Sequence, residues 1–110
     1  MPDDNKKRAA QRALVDRLLN AAGRTTPEQR ARAFRNGGYS PPMSTLIDKV
    51  AARPTQITGE DFAAAKRALF TEDQLFELVV CAAVGESARR YDAALAALAE
   101  AATGSTADAS

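Results

Sequence analysis

The sequence predicts an all-α domain of about five helices, with a long C-terminal helix at its centre. Apolar residues recur at helical spacing along most of the chain. Threonine cap signals stand ahead of three of the segments. No run of useful length alternates with the two-residue period of a strand.

The first helix is expected over about 5–22, with Ala10, Leu14, Leu18 and Ala21 on one face and Val15 and Leu19 widening it. Gly23 stops it. Thr26-Pro27-Glu28-Gln29 supplies an N-cap, a proline at the first helical position and a capping-box glutamine for a short second helix. That helix ends at Asn36-Gly37-Gly38, and Ser40-Pro41-Pro42 opens a third. Met43, Leu46, Ile47, Val50 and Ala51 then follow the amphipathic pattern closely. Arg53-Pro54 ends the third helix, because the residue before a proline resists the α region. Thr58-Gly59-Glu60-Asp61 caps a fourth, whose buried face would carry Phe62, Ala65 and Leu69. Thr71-Glu72-Asp73-Gln74 begins the longest helix, running to about Ala101. Its first half, from Leu75 to Val84, is apolar on nearly every face and so is expected to be covered all round. Phe62, Phe70, Phe76 and Tyr91 read as core aromatics. A single domain over 1–102 and a disordered small-residue tail over 103–110 complete the expectation.

Composition narrows the function. The 110 residues include 25 Ala against only 20 Leu, Ile, Val and Phe together, so large core side chains are in short supply. Close helix packing, a partner subunit, or both would relieve that shortage. With no His and a single Cys, an internal disulfide is impossible and an imidazole-dependent hydrolase is excluded, and no conventional zinc site is expected. No metal or cofactor is expected. The longest apolar run, Leu78 to Val84, is about a third of what a spanning helix needs. No signal-peptide core follows the first residues, so the expected setting is the cytoplasm, away from membranes.

Charge is uneven: residues 1–40 carry a net +5 and residues 41–110 a net −4. Arg24, Arg30, Arg32 and Arg35 form a candidate basic surface, read as a solvated face rather than a nucleic-acid site. Glu77, set between Phe76 and Leu78, should be desolvated. It is expected to pair with a cation from another helix; general acid–base work is the weaker candidate role. Cys81, in mid-helix and without an activating cation, reads as a small buried hydrophobe. Gly85, with Ala82 and Ala88 around it, suggests close approach of another helix. Leu75, Val79, Ala82, Gly85, Ala88 and Tyr91 form a candidate subunit interface.

Residues 46–54 (Leu46-Ile47-Asp48-Lys49-Val50-Ala51-Ala52-Arg53-Pro54), then Ile57 to Ala64 and Phe70 to Leu95, resemble the linker and late helices of the alkylhydroperoxidase D-like / carboxymuconolactone decarboxylase family. The register of Pro54, Asp61, Thr71, Glu77 and Arg90 carries the resemblance, which covers about half of the chain. It implies a helical, usually oligomeric scaffold. The family's redox members carry Cys-x-x-Cys and a nearby His upstream, whereas residues 24–42 here contain neither. No thiol peroxidase activity is therefore expected. The leading expectation is a non-redox, homo-oligomeric scaffold or accessory protein that also binds another protein. Two alternatives are a cofactor-independent decarboxylase-like enzyme using Glu77 on a small acidic or lactone substrate, and a small DNA-binding regulator.

Overall fold

The computed structural model describes residues 2–109, with side chains over 5–103. Its helices are α1 (Pro2–Asn20), α2 (Pro27–Phe34), α3 (Met43–Ala52), α4 (Gly59–Arg67) and α5 (Glu72–Ala109), with a 3-10 turn at Pro54–Gln56. Among the described residues there is no strand. The tail expected over 103–110 falls almost entirely on residues whose side chains lie outside the described set.

The expected start signals act as such. Thr26 and Gln29 exchange hydrogen bonds at 2.9 and 3.0 Å in a capping box that starts α2. Thr58 and Asp61 do the same for α4, and Thr71 and Gln74 for α5. The Asp61 carboxylate also takes the Lys49 ammonium at 3.0 Å, tying the start of α4 to α3. The Thr58 amide and then Lys49 hold the Asp61 pKa below the ordinary carboxylate value.

Two helices stop without glycine in the left-handed position. At the end of α2, Asn36 takes φ +54°, with Asn36 N–H donating to Ala33 and Gly37 N–H to Arg32. At the end of α4, Leu69 takes φ +74°, with Leu69 N–H donating to Lys66 and Phe70 N–H to Ala65. Both are Schellman stops, which satisfy the last carbonyls of a helix. The stop after Arg67 removes Leu69 from the helical face on which it was expected, and it is 90% exposed.

The long α5 forms the common wall: α1, α2, α3 and α4 all pack on it. Its 38 residues at about 1.5 Å each span most of the 61 Å long axis. The core joins Leu75, Leu78, Cys81 and Ala82 of α5 to Met43, Leu46, Ile47 and Val50 of α3, Ala33 of α2 and Ala65 of α4. The amphipathic pattern read in the third helix is thus its buried face. Elsewhere the periodic reading overshoots. Phe76 is 71% exposed, because the helices around α5 leave its side uncovered within one chain. Tyr91 and Leu14 also face outward rather than into the core.

Gly85 meets α2 at its C-terminus. A Cβ there would fall 2.7 Å from the Phe34 carbonyl carbon and 2.9 Å from its Cα. The Phe34 carbonyl then accepts a 2.6 Å hydrogen bond from Arg89, one turn further along α5. The close approach anticipated at Gly85 is made by this chain's own α2.

Candidate functional site

The connection between α1 and α2, residues 21–26, has no regular structure, and its polar backbone groups need partners from elsewhere. Glu77, on the second turn of α5, meets them. Its carboxylate accepts from the Arg24 amide at 2.7 and 2.9 Å, from the Thr25 amide at 3.3 Å and from the Thr25 hydroxyl at 3.2 Å. Gln74, one turn earlier, donates to the Arg24 carbonyl at 3.3 Å. A Cβ at Gly23 would fall 3.1 Å from the Glu77 carboxyl carbon, so a side chain there would push the carboxylate from its place under the loop amides.

Arg30 braces the same loop from the α2 side. It is only 4% exposed. Its Nη1 donates to the Leu18 carbonyl at 2.9 Å, satisfying a free acceptor at the end of α1, and its Nη2 donates to the Thr25 carbonyl at 3.2 Å. Its Nε–H is buried and has no hydrogen-bond partner among the described residues.

These groups surround a cavity of about 240 Å³. Leu18, Ala21 and Ala22 form one wall, Phe76 and Val80 another, and Arg30, Glu77 and Cys81 complete it. Burial pushes the Glu77 pKa up, but the Arg24 and Thr25 amides, the Thr25 hydroxyl and the Arg30 charge together outweigh it. The net shift is downward, and Glu77 is a carboxylate at neutral pH. Loop amides, rather than apolar side chains, meet the carboxylate, and the Arg30 charge adds to them. Cys81 goes the other way: burial raises its pKa, with Arg30 opposing and Glu77 adding. It remains a thiol.

The four arginines expected to form one basic surface separate. Arg24 is exposed, 3.9 Å from Asp73; Arg32 pairs with Glu28 at 2.6 Å; Arg35 is exposed. Arg30 is the correction: it lies inside, because it sits three residues before the buried Ala33 on the inner face of α2. That spacing was the available signal. Of the residues expected at a subunit interface, Leu75 and Ala82 are buried in the chain's own core and Gly85 lies against α2. Val79 and Ala88 are half-buried and Tyr91 is exposed.

A second groove, of about 380 Å³, lies between α3 and the connection that precedes it, at Asn36, Gly37 and Tyr39. Its polar side chains are largely spent on one another, with Asp48 taking both Asn36 and Arg53. Among the described residues, no group of three His, Cys, Asp or Glu could hold a metal ion, and no helix is long and apolar enough to cross a membrane. Comparison with protein-family models, curated proteins and solved structures finds no match.

Proposed function

We propose that this chain is a helical scaffold that associates with copies of itself, a non-redox relative of the alkylhydroperoxidase D-like family. One observation carries the reading: a continuous apolar furrow along α1, α5 and α4. Leu14, Leu18, Ala21 and Val84 line one end of it, and Phe62, Leu75, Phe76 and Val79 the other. The Glu77 cavity bridges the two, sharing Leu18 and Ala21 with the first and Phe76 with the second. Scattered exposed apolar residues are ordinary, but a contiguous stripe marks a contact surface.

A second copy fits as the occupant. Arg17 stands at the α1 end of the furrow, and Lys66 and Glu72, paired with each other, at the α4 end. A two-fold axis through the middle lays the apolar stretch of one copy along that of the other, as an isologous interface requires. The enzyme reading has less support, because Glu77 already serves four loop contacts and the cavity beside it is mainly apolar. The DNA-binding reading loses Arg30 to the interior.

Sedimentation velocity at micromolar concentration tests this. Wild type is expected to run as a dimer or larger, and Leu14→Glu/Phe76→Glu as a folded monomer. Both substituted side chains are exposed in the single chain, so neither change should unfold it. A wild type that is monomeric throughout that range refutes the proposal.

A further inference from the structure

Beyond Gly85, where the end of α2 rests on α5, the bundle narrows to the first half of α1 and the far half of α5. The two run antiparallel: Leu18 and Ala21 share a cavity with Phe76 and Glu77, whereas Arg8 and Arg12 share a groove with Leu95 and Ala99. The face that α5 buries in the core carries on into this part. Cys81, Gly85, Ala88, Asp92, Leu95 and Ala99 recur at alternating steps of four and three residues, the spacing of a helix-packing seam. Cys81 and Gly85 are buried, Ala88 and Leu95 are half-buried, and Asp92 and Ala99 are exposed. The seam outruns the helices that cover it. Between it and α1 lies an open groove of about 470 Å³. Leu95 and the small Ala88, Ala96 and Ala99 form its floor and leave room for another helix, as Gly85 does for α2. The α1 wall carries Arg8 and Arg12, neither of which makes an ion pair with another described residue. We propose that this groove docks an amphipathic helix of another protein, which lays its apolar stripe on Leu95 and presents an acidic flank to Arg8 and Arg12.

Charge selects the occupant. Over residues 5–17, α1 carries Lys6, Lys7, Arg8, Arg12 and Arg17 against Asp16 alone. This chain's own helices have little to set against them, because Glu28 is held by Arg32, Glu60 by Arg67, Glu72 by Lys66 and Glu86 by Arg89. Among the described residues, no helix of a second copy therefore offers free acids on adjacent turns to meet Arg8 and Arg12 together. A nucleic acid fits less well, since the floor is apolar and Asp92 on it repels phosphate. An amphipathic helix in a groove combines an apolar stripe with charged flanks, which is what the floor and wall here call for. The groove is separate from the furrow assigned to self-association. Arg8 and Arg12 lie roughly 150° around α1 from Leu14 and Ala21, and no residue lines both.

The test titrates the ¹⁵N-labelled full chain with two synthetic helical peptides of about three heptads, long enough to span the ~17 Å from Ala88 to Ala99. One has leucine at a and d, glutamate along one flank and glutamine along the other; in the second, lysine replaces the glutamate. The acidic peptide is expected to move the amide resonances of residues 8–12 and 88–99 saturably at micromolar concentration, and more weakly as salt rises. The lysine peptide should bind at least about tenfold more weakly, the equivalent of two lost ion pairs. Arg8→Glu/Arg12→Glu changes only exposed side chains and should reverse that preference. Leu95→Glu should abolish binding of the acidic peptide; if that variant fails to fold, the charge reversal still decides. Binding should persist in Leu14→Glu/Phe76→Glu, so a failure of the self-association reading leaves this one standing. Resonances of residues 88–99 that the acidic peptide leaves unmoved overturn the proposal. So does a preference that survives the charge reversal, or a DNA duplex that moves the same resonances at lower concentration. Self-association that Leu95→Glu abolishes also overturns it, by giving the groove to a second copy.

Discussion

Replacing Gly85 with alanine sets two effects of opposite sign against each other. In an exposed helix interior, Gly→Ala stabilises by about 1 kcal/mol, because glycine has more backbone freedom to lose. At Gly85 the new methyl would meet the end of α2, 2.7 Å from the Phe34 carbonyl carbon. Carbon atoms in contact sit about 3.5–4.0 Å apart, and the Phe34 carbonyl oxygen lies nearer still to the new methyl, so the end of α2 must withdraw by more than about 1 Å. The obstacle is backbone, which cannot rotate aside as a side chain could. Overpacking of this kind costs about 1–3 kcal/mol. Withdrawal also stretches the Arg89 bond to Phe34, whose half-exposed guanidinium makes its share at most ~1 kcal/mol. Net destabilisation of about 2 kcal/mol is expected. For a chain of this size that lowers Tm by roughly 8 °C in circular-dichroism melts. Arg89→Ala, measured alongside, separates the hydrogen bond from the steric term. A Gly85→Ala protein that melts at or above wild type shows that α2 does not press on α5 as described.

Two further substitutions test local features. Leu69→Gly should stabilise by about 1 kcal/mol, because Leu69 holds a left-handed conformation while 90% exposed and has little packing to lose; a lowered urea midpoint would contradict this. Glu77→Gln should weaken the loop, leaving wild type ahead by about 1.5–2 kcal/mol at neutral pH. Because the folded-state pKa of Glu77 is lowered, that advantage is fully present above the ordinary glutamate pKa of about 4.3 and is lost as pH falls through the folded value. Paired urea titrations should show a constant gap down to about pH 5 and a narrowing gap below it. A gap that is absent at neutral pH, or that widens in acid, would refute the role given to Glu77.

The helix starts were legible because capping is local: Thr26, Thr58 and Thr71 each find a partner three residues on, within reach of sequence inspection. The buried face of α3 was legible for the same reason. What escaped depends on distant chain. The segment 75–84 has apolar residues on almost every side, yet nothing in that run says that α1 to α4 leave Phe76 bare. Leu69 continues the apolar spacing of Phe62 and Ala65, but the turn after Arg67 breaks the helix without a glycine to announce it. Glu77 was read as paired with a cation from another helix. Its partners proved to be backbone amides more than fifty residues away, which carry no sequence signature. Arg30 was misjudged by residue type alone, although its place beside Ala33 on one helical face indicated burial.

That α5 is the wall on which every other helix rests has a bearing on how the chain is made. The bonds that organise the molecule join Arg24 and Thr25 to Glu77, and Phe34 to Arg89, across gaps of 52–55 residues. A ribosome delivers α1 to α4 first, and their apolar faces have nothing of comparable size to close on until residues 75–89 emerge. Capping boxes start α2 and α4, but helices of 8 and 9 residues are marginal alone in water. Folding is therefore expected to wait until α5 has emerged and then to proceed as one event around it. Until then, the nascent segments must be kept from one another by dilution or by a chaperone.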